Sequence, residues 1–164
     1  MLCERSTTMP LAAGQKAPDF ILPSTSGRDF SLYQTMKGKP CILYFYPKDF
    51  SMGCTNEACS FRDTFEVFLE LKITLLGISR DSIESHQRFK KTLGLPFDLL
   101  SDDGGKVCAL YETQLPFVPL FTKRTTYLLD KDQKIMAVYE NIFSSRKHIK
   151  TMVEEVTVKR AGAL

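Results

Sequence analysis

Residues 41–46 read CILYFY, six apolar or aromatic residues with no polar break. A β-rich run without alternation suits a strand covered on both faces, as in a parallel sheet flanked by helices. ITLLGIS at 73–79 repeats the pattern. Between the two runs the period changes: from Cys54 to about Leu71, Ala58, Phe61, Phe65 and Phe68 recur at steps of three and four and form one apolar helical face. DSIESHQRFKKTLG predicts a helix of about 11 residues, stopped by Gly94 and Pro96. PFDLLSD reads as a short strand, GGKVCALY as a short helix, RTTYLLDKDQKIMAVYE as a hairpin and SSRKHIKTMVEEVTVK as a closing helix. Ahead of the first run, Pro18, Pro23 and Gly27 cut APDFILPSTSGRDFSL into short extended pieces and a turn. The order predicts one α/β domain, a central sheet with a parallel core flanked by helices. Residues 1–9 are expected to be a flexible extension and 10–164 the domain.

The 164 residues suit a single core. A net charge of +3 is too small to imply a nucleic-acid partner, so FKK and TKR read as solvated surface. No apolar run approaches the roughly 18–20 residues of a membrane span. MLCERSTTMPLAAGQ lacks the apolar centre of a secretory signal, so the expected location is the cytoplasm, away from membranes. In a reducing compartment, five cysteines serve chemistry or packing rather than static bridges.

Functional residues of open α/β sheets lie beyond the carboxyl ends of the strands, where Cys54 falls. It would occupy the first turn of the following helix, whose free N–H groups and positive dipole end favour a thiolate, with Lys48 and Arg62 adding positive potential. Cys59 lies five residues on. On an intact helix, five rises of about 1.5 Å and a rotation of about 140° separate the Cα atoms by roughly 8–9 Å. A disulfide needs less than about 7 Å. Either the two thiols never bond, or the helix start unwinds when they do. The residues alone leave both open: Cys59 also reads as a small buried hydrophobe beside Ala58, and Cys54 as a loop cysteine without a role. Zinc lacks a second Cys/His pair, since His86 and His148 fall in separate helices and are expected on their surfaces. A Cys–His hydrolase lacks its base for the same reason. No metal or other cofactor is expected.

FYPKDFSMGCTNEACSFRD at 45–63 resembles the active-site segment of the peroxiredoxins, closest to the bacterioferritin comigratory protein or PrxQ type. AGQKAPDFILP, GISRDSIESHQRF, LLSDDGGKVC and RTTYLLD extend the resemblance, in order, from about Leu11 to the C-terminal helix. It implies a thioredoxin-like fold and a thiol peroxidase acting on hydrogen peroxide and organic hydroperoxides. The family's Pro, Thr/Ser and peroxidatic Cys map onto Pro47, Ser51 and Cys54, its resolving Cys onto Cys59 and its arginine onto Arg124. Pro47 would shield the thiolate and hold the loop. The Ser51 hydroxyl would accept from one peroxide oxygen and donate to the sulfur, while the Arg124 guanidinium and the Cys54 N–H would meet the charge building on the peroxide as the O–O bond breaks. Cys54 would become a sulfenic acid, condense with Cys59 to a Cys54–Cys59 disulfide, and be recycled by a thioredoxin-like reductant, in a monomer. Ser51 replaces the commoner threonine and keeps its hydroxyl; Met52 replaces a usual proline and frees its φ. Cys41 and Cys108 read as core packing, and Cys3 as a flexible, inert thiol. The rival readings are a thioredoxin-like disulfide oxidoreductase and a non-enzymatic redox sensor or holdase.

Overall fold

The computed structural model describes residues 9–140 and 145–161, with the side chains of 145–148 and 159–161 outside that description. The expected extension up to residue 8, with Cys3, and the His148 side chain therefore lie outside the described residues. The chain opens with a small hairpin, β1 (Ile21–Pro23) and β2 (Asp29–Ser31), then α1 (Leu32–Thr35) and β3 (Cys41–Phe45). Next come α2 (Met52–Asp63), α3 (Phe65–Glu70), β4 (Thr74–Ser79), α4 (Ile83–Leu93), β5 (Asp98–Ser101) and α5 (Lys106–Leu110). A second small hairpin, β6 (Gln114–Leu115) and β7 (Val118–Thr122), precedes β8 (Thr125–Leu129), β9 (Ile135–Glu140) and α6 (Ser145–Ala161).

The main sheet has the order β5-β4-β3-β8-β9. Strand β3 pairs parallel with β4, and β4 with β5, whereas β8 and β9 run antiparallel. The sheet is mixed, as expected. All five residues of β3 are buried. Their alternation divides the core in two: Cys41, Leu43 and Phe45 face one cluster with Leu32, Cys108 and Tyr127, while Ile42, Tyr44 and Tyr46 face another with Ala58, Phe61, Phe68 and Met152. Burying each large side chain of this kind contributes about 1.5–3 kcal/mol. Cys41 and Cys108 are both packing residues in the first cluster. Among the described residues, no helix is long and apolar enough to cross a membrane.

Three local expectations need correction. The helix expected from Cys54 to about Leu71 begins at Met52 and breaks at Thr64, where the chain turns into α3. The β6–β7 hairpin has no counterpart in the sequence reading: Phe117, Leu120 and Phe121 are exposed apolar residues there, a pattern that neither alternation nor burial predicts. His86, expected on a helix surface, is wholly buried.

Gly77 lets the core close over β4. A Cβ there would lie 2.7 Å from the Tyr44 hydroxyl and from Leu99 Cδ2, closer than packed carbon allows. Gly77→Ala is expected to cost about 1–3 kcal/mol and to lower the thermal midpoint by several degrees, measurable by calorimetry.

Candidate active site

The loop from Pro47 to Ser51 connects the end of β3 to α2. Ser51 is the N-cap of α2: its backbone is extended (φ −68°, ψ 148°), and its Oγ accepts the Cys54 backbone N–H at 3.3 Å. The same hydroxyl donates to the Lys48 carbonyl at 3.1 Å, and not to the Cys54 sulfur as the resemblance implied. Cys54 thus lies in the first turn, as expected, with a buried side chain. Its N–H, expected to meet the peroxide, donates to the cap instead. Phe50, just before the cap, takes φ 61°, a left-handed conformation that costs a non-glycine residue roughly 1–2 kcal/mol.

Sheet pairing brings the cation. Arg124 precedes β8, the antiparallel neighbour of β3, and stands on the same face as Thr126 and Leu128, under α2. Its Nη2 donates to Cys54 Sγ at 3.1 Å, and its Nη1 to Glu57 Oε2 at 2.6 Å. Arg124 was expected at the site; Lys48 and Arg62 are not its cations. Lys48 is exposed, and Arg62 donates to the Leu93 carbonyl at 2.8 Å and pairs with Asp63 at 3.0 Å. Pro47 is half-buried in the loop. Cys59 is half-buried on the same unbroken helix as Cys54, and the two thiols are unbridged, as are Cys41 and Cys108.

Sequence reasoning missed two residues. Glu57 stands three positions after Cys54, on the same helical face, and carries the carboxylate that aims Arg124. Burial pushes the Glu57 carboxyl up to about 7, against the opposing pull of Arg124. Gly53 is the other: a Cβ there would meet Arg124 Nη2 at 2.6 Å, so only glycine leaves room for the guanidinium. The spacing of Glu57 from Cys54 was visible, but its partner was not.

Among the described residues, Asp49, Asp81 and His86 bring possible metal-ligand atoms within 4.8 Å of one another. Those atoms already bond to protein groups: His86 Nδ1 to Asp49 at 2.8 Å, and Asp81 Oδ2 to the Asp49 N–H at 2.9 Å. The buried thiol faces a guanidinium at the first helical turn, which suits reduction of a small polar substrate whose leaving oxygen gains charge.

A model of the AhpC/TSA family matches residues 13–138. The chain is 42% identical over 148 residues to the chloroplastic peroxiredoxin Q of Sedum lineare, covering 90% of this chain and 79% of that protein. It is 44% identical over 139 residues to the putative peroxiredoxin bcp of Coxiella burnetii, covering 82% and 91%. Peroxidoxin BcpB from Mycobacterium tuberculosis superposes with a TM-score of 0.82 at 32% identity, over 89% of this chain and 96% of that one.

Gly53→Ala is expected to cut peroxide reduction at least tenfold by displacing Arg124, and to lower the thermal midpoint because the displacement disturbs the buried pair with Glu57. Glu57 binds its proton more tightly folded than unfolded, so its contribution is full below the ordinary carboxyl range and is lost as pH rises through about 7. Glu57→Gln, lacking this loss, should gain up to about 3 kcal/mol relative to the parent between pH 4.5 and 8 in urea unfolding. A constant difference would contradict it.

The family model, the two relatives and the superposition agree with the mixed sheet, and together they place the protein: the chain belongs to the AhpC/TSA family, as a thiol-dependent peroxidase of the peroxiredoxin Q kind.

Proposed function

We propose that the protein reduces hydrogen peroxide and organic hydroperoxides through Cys54, with Cys59 as the resolving thiol and a thioredoxin-like dithiol as the electron donor. The observation that carries this reading is the 3.1 Å contact from Arg124 to Cys54 Sγ at a capped helix start. The Cys54 thiolate attacks one peroxide oxygen and the O–O bond breaks. The sulfur takes up that oxygen and becomes a sulfenic acid, while the other oxygen takes a proton, matching the one the thiol gave up on ionising, and leaves as water or an alcohol. Arg124 and the Ser51 hydroxyl bind the peroxide oxygens, and the Cys54 N–H joins them by letting go of Ser51 Oγ. Pro47 keeps bulk water from the thiolate.

The second step forms the S–S bond between Cys54 and Cys59 and expels the sulfenic oxygen as water. Because both thiols lie on one helix, its first turns unwind to close the gap of roughly 8–9 Å between Cα atoms. The donor dithiol then takes the disulfide and restores both thiols. A relative supports the substrate range: a Xanthomonas campestris bacterioferritin comigratory protein, 25% identical with a TM-score of 0.79, is described with alkyl peroxide reduction activity. A cycle that returns both thiols to the reduced state suits a reducing compartment such as the cytoplasm.

In peroxide consumption coupled to thioredoxin and its reductase, Cys54→Ser should abolish turnover. Cys59→Ser should give one equivalent of oxidation and a sulfenic acid that a dimedone probe traps. Residual turnover in Cys54→Ser would contradict the assignment, as would a Cys54 bridge to Cys3 or Cys108 in peptide mass maps of the oxidised parent.

A further inference from the structure

The loop bearing Pro47 and Ser51 is fastened at its centre by Asp49, whose side chain is buried. Its carboxylate accepts from the Tyr46 hydroxyl at 2.7 Å and from the Ser85 hydroxyl at 2.8 Å, and lies 2.8 Å from His86 Nδ1. The His86 Nε2 lies 3.1 Å from the Leu100 carbonyl. The ring thus joins the loop carboxylate to a carbonyl of β5. His86 and Asp49 form a buried pair, at 0% and 1% side-chain exposure. The Asp49 backbone N–H donates to Asp81 Oδ2 at 2.9 Å, and the Ser79 hydroxyl donates to the same oxygen at 2.5 Å. The loop is thereby tied to the ends of β3 and β4, to α4 and, through the imidazole, to β5.

Cys54, Arg124 and Glu57 do not touch this network directly. What it fixes is the backbone immediately before the cap. Asp49 is one residue from Phe50, with its left-handed φ of 61°, and two residues from Ser51. A left-handed phenylalanine persists only where its surroundings over-determine it. Phe50 is half exposed, and its ring rests against Phe89 of α4 at 5.1 Å, the helix that also carries His86. Two contacts from α4 therefore bracket the strained residue.

We propose that His86 is a positioning residue for peroxide reduction: through Asp49 it holds the Pro47–Ser51 loop so that the Ser51 hydroxyl stays on the Cys54 backbone N–H, at the helix start whose thiol Arg124 contacts. This rests on the peroxidase reading above. Loosening the pair displaces the donors that meet the peroxide oxygens but leaves the thiol itself reachable by a reagent that needs no such donors. The loss is therefore specific to peroxide.

The test compares two second-order rates on the full reduced chain at one pH: oxidation of Cys54 by hydrogen peroxide and its alkylation by iodoacetamide, both read by mass spectrometry. In His86→Gln the ratio of peroxide rate to alkylation rate is expected to fall at least fivefold. Ser85→Ala, which removes one donor to Asp49 and almost no core volume, is expected to lower the same ratio less, by about twofold. A His86→Gln ratio within a factor of two of the parent, or peroxide and alkylation rates falling together, overturns the proposal. If His86→Gln fails to fold, Asp49→Asn is judged by the same fivefold criterion. A parent protein that consumes no peroxide would instead overturn the peroxidase reading, so the two failures are distinguishable.

Discussion

The Arg124 guanidinium stands between a thiol and a carboxylate, 3.1 Å from Cys54 Sγ and 2.6 Å from Glu57 Oε2. Both partners are on α2, and the cation is on the strand side of the sheet. One side chain thus joins the helix start to the sheet, and on the proposed mechanism it supplies the positive charge that a developing oxyanion needs. The arrangement depends on close approach, which Gly53 permits, and on burial, which strengthens the electrostatics while making the Glu57 carboxylate costly to ionise. Arg124 and the first turn of α2 are one unit: moving either removes the site.

That unit is held unevenly along α2. Its first turn relies on the Ser51 cap, worth about 1 kcal/mol, and on the Glu57–Arg124 pair. Beyond Cys59, Phe61 stacks on Tyr44 with ring centroids 4.7 Å apart, and Phe68 of α3 extends the same core. The polar fastenings are concentrated in the first turn, where Cys54 and Ala58 are also buried, and the aromatic ones lie past the second thiol. An unwinding that stops near Cys59 therefore sacrifices a cap and an ion pair but keeps the aromatic core.

Much of this was legible in the sequence, because period and spacing report local structure. CILYFY and ITLLGIS became neighbouring parallel strands, and the thiol after the first strand fell at a helix start. What was not legible depends on partners distant in sequence. Lys48 and Arg62 are near Cys54 along the chain, yet the cation at the thiol comes from 70 residues away through strand pairing. His86 reads as a helix-surface residue until Asp49, 37 residues earlier, folds over it. Glu57 is an ordinary helical carboxylate until Arg124 arrives. The family resemblance supplied Arg124; no periodicity would have.

The two thiols share an intact helix in this structure and sit too far apart along it to bond. The central claim is that oxidation of the first undoes the part of the helix that separates them. Amide hydrogen exchange over residues 54–62, compared between reduced and peroxide-oxidised protein, tests it most directly. Protection should fall sharply across this segment on oxidation while the amides of β3 and β4 stay unchanged. Equal protection of residues 54–62 in the two states would contradict it.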